Sequence, residues 1–179
     1  VFGIVVGILL VAAGVFLYFK LGAPPVAVAD PAFPMEATIV HVPLDARIQR
    51  EAPKTAPVAA DESAFLAGAH IYREQCAFCH GLKGHDSTVA ANMYPDAPPL
   101  WKSHRAGVVG VSDDPPGETY WKVANGIRLT GMPSYKKTLS ETQMWQVSLL
   151  LANADKPMPA GVDALLSQPL LLDTTGSGA

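Results

Sequence analysis

The two cysteines of this chain stand three positions apart, and a histidine follows the second: Cys76-Ala77-Phe78-Cys79-His80. A bare C-x-x-C suits a thioredoxin-like redox pair or half of a zinc site. No further cysteine exists to complete a zinc site, and no β-α-β pattern surrounds the motif. The adjacent histidine makes it the attachment signature of a c-type haem. Two thiols at a helix end can add to the two vinyl groups of one porphyrin, and the next imidazole then lies under the iron. The flanking sequence agrees. A loop-rich stretch containing Gly81, Gly84, Pro95, Pro98, Pro99, Gly107 and Gly110 separates two helical patterns. Some 35 residues without regular structure suit a compact domain only if something other than protein fills its core.

The iron needs a sixth ligand or an open site. Met132 lies in Thr130-Gly131-Met132-Pro133-Ser134-Tyr135. Glycine permits close backbone approach and proline blocks a helix, so this methionine is presented on a loop. Enough chain separates it from His80 to wrap round a porphyrin. Met93 is the main rival. Met144 falls in a helical pattern and reads as core, and His85 is too near His80 to cross the ring.

Val1 to Phe19 contain neither charge nor proline, and Lys20 follows. As a helix they would be roughly 28 Å long, about one hydrocarbon thickness. Ala27-Val28-Ala29 resembles a signal cleavage site, but the apolar run exceeds the usual signal core of about 7–15 residues. Residues 1–20 therefore read as a retained anchor in the lipid bilayer. Residues 21–62 read as an extended linker, holding seven of the sixteen prolines. As a free coil they would span roughly 35–40 Å. Ala37 to Val42 alternate in character and suit either a short strand added to a partner or a solvated extended stretch. Residues 63–156 are the segment able to fold, and 157–179 are a tail. In the tail, Leu165-Leu166 and Leu170-Leu171-Leu172 are expected to pack on the domain or a partner, and Thr174 to Ala179 to fray.

Three helices are expected in the folded segment. The first runs from Glu62 to Gln75, with Phe65, Ala69 and Tyr72 on one face. The second runs from Glu118 to Asn125, after Asp113-Asp114-Pro115-Pro116-Gly117, and stops at Gly126. The third starts at Ser140, whose partner Gln143 makes a capping box, with Leu139 and Met144 as the flanking staple. It is expected to reach about Ala154.

These residues resemble the class I c-type cytochromes in their single-haem, membrane-anchored form. Gly68 and Tyr72, before Cys76, match the family's glycine and aromatic pair where the first helix crosses the last, with Trp145 and Leu149 on the facing side. Pro98-Pro99-Leu100 matches the P-x-L segment. The resemblance implies that a proline carbonyl, of Pro98 or Pro99, holds the proximal His80, and that Leu100 packs on the haem. Tyr120-Trp121 and Asn125-Gly126 match the helix before the methionine loop, and Met132-Pro133-x-Tyr135 the axial-ligand motif. The fold implied is all-α: a small cytochrome c-like helical domain around one covalent haem, attached through Cys76 and Cys79 and ligated axially by His80 and Met132. The segment between His80 and Pro98 is longer than in the smallest members.

With both axial positions filled, no site is left for a small-molecule substrate. The expected function is outer-sphere transfer of single electrons rather than catalysis. Trp101, Arg105 and Arg128 are candidate partners for the haem propionates, and Tyr135 belongs to the axial motif. Charged residues make up 16% of the chain against roughly 25% in a typical soluble domain. The formal net charge of −3 excludes a basic polyanion binder, so nucleic acid is not an expected partner. Within residues 63–156, nine Lys/Arg against eight Asp/Glu leave +1. Lys122, Arg128, Lys136 and Lys137 nevertheless flank the Met132 region, a rim suited to steering an acidic redox partner. The expected setting is the outer, periplasmic side of a bacterial cytoplasmic membrane. Expected partners are membrane redox complexes: a quinol-oxidising donor, and a terminal oxidase or photosynthetic reaction centre as acceptor. The chain is read either as a tethered carrier or as a bound subunit. The competing reading is a haem peroxidase or gas sensor with an open sixth position.

Overall fold

The computed structural model describes residues 2–105 and 107–170, so Leu171, Leu172 and the last residues of the tail lie outside the described chain. Two compact units are present, one up to Pro43 and one from Leu44 onward. In the first, helix α1 (Phe2–Leu21) is uninterrupted and has no buried residue. It is long and apolar enough to cross a membrane.

Helix α2 (Glu36–Glu51) replaces the extended chain expected here, and corrects both readings of Ala37 to Val42, the short strand and the solvated extended stretch. Six alternating residues have no neighbouring strand among the described residues to complete their hydrogen bonds. Helix start signals are present instead: Glu36 accepts the Phe33 N–H at 2.8 Å and stands in the first turn, where a carboxylate favours the helix dipole. Pro43 lies inside the helix and leaves the Ile39 carbonyl without its usual donor.

The second unit begins with the rest of α2. Ile48 and Ala52 are buried with Trp121, and Leu44 packs beside them. Trp121 Nε1 donates to Glu51 Oε2 at 2.9 Å, while Arg47 Nε bonds Glu51 Oε1 and its guanidinium lies 5.7 Å from the indole centroid. Gly117 faces the same segment: a Cβ there would meet the Pro53 carbonyl oxygen at 1.9 Å. Residues 44–53 are therefore part of the folded unit. The indole N–H, and then Arg47, hold the Glu51 carboxyl below its ordinary value of 4.5. A carboxylate lowered by folding stabilises the docked state above its ordinary pKa and loses that contribution as pH falls through the lowered one. The clasp is expected to loosen below pH 4.5. Hydrogen exchange at the Ala52 amide, which bonds the Ile48 carbonyl, should then show excess opening in the parent protein, and Glu51→Gln should abolish that pH dependence.

The centre of the unit is the crossing of α3 (Glu62–Gln75) and α6 (Glu141–Leu151). Helix α3 has the bounds expected from its pattern. Asp61 caps it, accepting from the Ala64 N–H at 2.9 Å. The expected Ser140/Gln143 capping box starts α6, and Leu139 and Met144 join the core. The backbone of Gln146 and Val147 closes on Gly68; Trp145 instead stacks on Tyr120, with centroids 4.4 Å apart. Helix α5 (Pro116–Asn125) starts two residues earlier than expected, because Pro116 suits the first helical position. Helix α6 ends at Leu151 rather than Ala154, in a run of tighter turns. The loop-rich stretch contains the single-turn α4 (Ala77–His80), a 3-10 turn (Ala90–Asn92) and a small antiparallel pair, β1 (Ser103–Arg105) with β2 (Val108–Val109).

The tail supplies α7 (Ala160–Ser167). Val162 and Leu166 are completely buried in the main core. Arg73 of α3 donates to the carbonyls of Leu165, Gln168 and Pro169, and the Lys83 N–H bonds the Leu166 carbonyl. The folded unit thus extends beyond both ends of the 63–156 segment expected from sequence.

Candidate haem site

Cys76 joins α3 to α4. Its carbonyl accepts the N–H groups of Cys79 and His80 at 3.1 and 2.9 Å, so both thiols and the imidazole belong to one helical turn. Gly81 ends that turn at φ +72°, conformation open to glycine at little cost. A side chain there would also meet the His85 carbonyl oxygen at 2.7 Å. The buried Tyr72 hydroxyl donates to the Gly81 carbonyl at 2.8 Å and fixes the exit.

His80 Nδ1 lies 2.8 Å from the Pro98 carbonyl oxygen. A carbonyl only accepts, so Nδ1 carries the proton and Nε2 keeps its lone pair for a metal. Of the two prolines left open by the sequence, Pro98 makes this contact. Burial lowers the His80 pKa, with the Pro98 bond opposing it, and the neutral imidazole is the form that ligates. Burial, followed by the nearby Cys79, pushes the Cys76 thiol up to about 12. The two cysteines are not joined to each other by a disulfide.

Leu100 is buried in the main core, and Cys76, Trp101, Met132 and Tyr135 pack against that same cluster. Trp101 meets Tyr72 edge-on, with centroids 5.7 Å apart. Its Nε1 is buried with no hydrogen-bond partner among the described residues. A buried donor without an acceptor costs about 1–3 kcal/mol, so this indole N–H fits an acceptor supplied by a bound group.

Met132 is fastened to the end of α5. Ser134 Oγ donates to the Ala124 carbonyl at 2.6 Å, and the Tyr135 N–H to the Val123 carbonyl at 3.0 Å. Gly126, at φ +67°, admits Pro133 and Ser134 where a Cβ would come within 2.7 Å of both. The Met132 carbonyl takes the Ile127 N–H at 3.2 Å, and its own N–H bonds Thr130 Oγ1 at 3.1 Å. The Tyr135 hydroxyl then donates to the Gln75 carbonyl at 2.7 Å, tying this segment to the residue before Cys76. Burial, then Cys76 and Cys79, push the Tyr135 phenol up to about 12.

The structure therefore gathers Cys76, Leu100, Trp101, Met132 and Tyr135 on one core; Cys79 and His80 join them through the turn they share with Cys76, and Pro98 through its bond to His80. It does not bring Arg105 and Arg128 in with them. Arg105 pairs with Asp113 at 2.6 Å. Arg128 is exposed and has no ion pair among the described residues. Two thiols, a histidine with Nε2 free, a thioether and an orphan buried N–H fit a covalent c-type haem. Sequence reasoning weighed Met93 only as a rival ligand; its contact with Gly131 carries no local signal.

Residues 63–149 match the family model described as cytochrome C oxidase, cbb3-type, subunit III. A solved chain from the Kuenenia stuttgartiensis reducing HAO-like protein complex is 20% identical, with a TM-score of 0.44 over 77% of this chain. This chain covers 54% of that one, about half its length. No curated protein matches. The matched segment, with its C-x-x-C-H turn and helical frame, is a cytochrome c domain of the class I kind.

Proposed function

We propose that this chain is a membrane-anchored, single-haem cytochrome that carries electrons one at a time between membrane redox complexes. The observation that carries the reading is the His80–Pro98 contact behind the two cysteines, with Met132 packed on the same core as Cys76. Haem c supplies reversible one-electron exchange, and His/Met ligation favours a higher potential than bis-His ligation. The protein's residues hold that chemistry in place. Cys76 and Cys79 form the thioether links, Pro98 orients the imidazole of His80, and Leu100 excludes water. Met132 would supply the thioether that ligates the iron. Trp101 supplies the best supported propionate donor. Arg128 is free to join it, whereas Arg105 would have to leave Asp113.

α1 anchors the domain in the cytoplasmic membrane, with the haem domain on the periplasmic side. The prolines between Pro24 and Pro34 remain as the tether. Lys122 pairs with Asp114 at 3.3 Å, so the basic rim reduces to Arg128, Lys136 and Lys137, which have no ion pair among the described residues. An acidic partner steered by these cations should react more slowly as salt rises; a flat salt profile would remove the steering idea. The family's name supports a terminal oxidase as the acceptor, with a quinol-oxidising complex as donor.

The test is a reduced-minus-oxidised spectrum of the detergent-extracted protein, with and without carbon monoxide. A sharp c-type α-band, a weak near-infrared sulfur-to-iron band when oxidised and no carbon monoxide response are expected. Met132→Ala should abolish the near-infrared band and admit carbon monoxide. A parent protein that is high-spin and binds carbon monoxide would replace the carrier with a peroxidase or gas sensor.

A further inference from the structure

The segment between the attachment turn and Pro98 is fastened at two places that matter to the proposed haem site. Ser87 Oγ donates to the Phe78 carbonyl at 2.7 Å, between the two cysteines, and accepts the N–H groups of Val89 and Ala90 at 3.1 and 3.2 Å. Asn92 Nδ2 donates to the Thr88 carbonyl at 3.1 Å. The Met93 N–H closes the 3-10 turn on the Ala90 carbonyl, also at 3.1 Å. The half-buried Met93 side chain then lies on Gly131. A Cβ at Gly131 would come within 2.1 Å of Met93 Cε and 3.9 Å of its Sδ, and beyond Gly131 itself and its two chain neighbours no other described atom lies within 4 Å of it.

Gly131 immediately precedes Met132. The 127–132 loop is held by its own hydrogen bonds, with Leu129 at φ +64°. Hydrogen bonds hold the Met132 backbone on the loop and on the end of α5; a side chain seated on Gly131 adds packing against the strained loop itself. The slim, polarizable thioether of methionine fills an irregular gap well.

We infer that Met93 is a positioning residue for Met132, and that Ser87–Met93 is the strap connecting the attachment turn to the axial loop. The inference rests on Met132 as the sixth ligand. Its test uses the full-length holoprotein in mild detergent, with the near-infrared sulfur-to-iron band and carbon monoxide titration as readouts. Met93→Ala should keep its covalent haem and far-ultraviolet circular dichroism. It should weaken the band and give a carbon monoxide response at concentrations that leave the parent unchanged, as a Met132–iron bond weakened about tenfold would, the factor for roughly 1.4 kcal/mol of lost packing on a half-buried methionine. Met93→Leu should restore most of the parent behaviour. Gly131→Ala, which displaces Met93 from the other side, should reproduce Met93→Ala and serves if that variant folds poorly. Parent-like spectra and carbon monoxide affinity in both Met93→Ala and Gly131→Ala would overturn the inference. So would a band abolished in Met93→Ala but retained in Met132→Ala, since Met93 would then be the ligand. A parent protein lacking the band would instead overturn the Met132 reading itself, and the positioning role with it.

Discussion

Gly68→Ala should lower the unfolding free energy by about 3 kcal/mol, the upper part of the range for overpacking. The new Cβ would stand 2.5 Å from the Gln146 carbonyl oxygen and 2.8 Å from its carbonyl carbon. Both atoms belong to the backbone of α6, so no side-chain rotation relieves the contact. The helices must separate, and the separation spreads through a core in which Ala69, Tyr72, Val147 and Leu150 are fully buried. Urea denaturation followed by circular dichroism measures the loss. Gly161→Ala is the matched control. Beyond its chain neighbours and its own helix backbone, nothing lies within 4 Å of where a Cβ would stand in α7, so alanine should be neutral or stabilising by up to about 1 kcal/mol. Equal stability of Gly68→Ala and the parent would mean that the helix crossing is looser than described.

Ending the chain at Lys156 should be the more damaging change, although it leaves every proposed haem ligand in place. It removes Val162 and Leu166, both completely buried, and the carbonyls that satisfy Arg73. Leu166→Ala alone should cost about 3 kcal/mol, as buried leucine truncations do. The full truncation should cost about 5 kcal/mol or more, comparable to the total stability of a small domain. Thermal melting of the truncated and parent holoproteins tests this. An unchanged melting temperature would show that α7 is an appendage. The family match ends at residue 149, and α7 lies beyond it, packed on this chain's core.

The features legible in the sequence depend on neighbours three or four residues apart. α3 runs over Glu62–Gln75 as its apolar spacing indicates. Ser140 and Gln143 form their reciprocal cap, and Gly126 stops α5. The cysteines and His80 share a turn because their spacing is helical. Close approaches at glycine were readable only where a motif already pointed to them, as at Gly68.

Other features depend on residues far apart along the chain. Glu51 and Trp121 are 70 residues apart, and their bond makes part of an apparently extended linker into a docked helix. Arg73 and Leu165 are 92 apart, and their bond helps hold the tail against the core. The choice of Pro98 over Pro99, the pairing of Arg105 and Lys122 with aspartates, and the seat of Met93 on Gly131 are of the same kind. Each depends on which surfaces meet after the chain has closed its loops. Local periodicity carries no record of that meeting, because such contacts form only once the entropy of loop closure has been offset by the packing of the whole core.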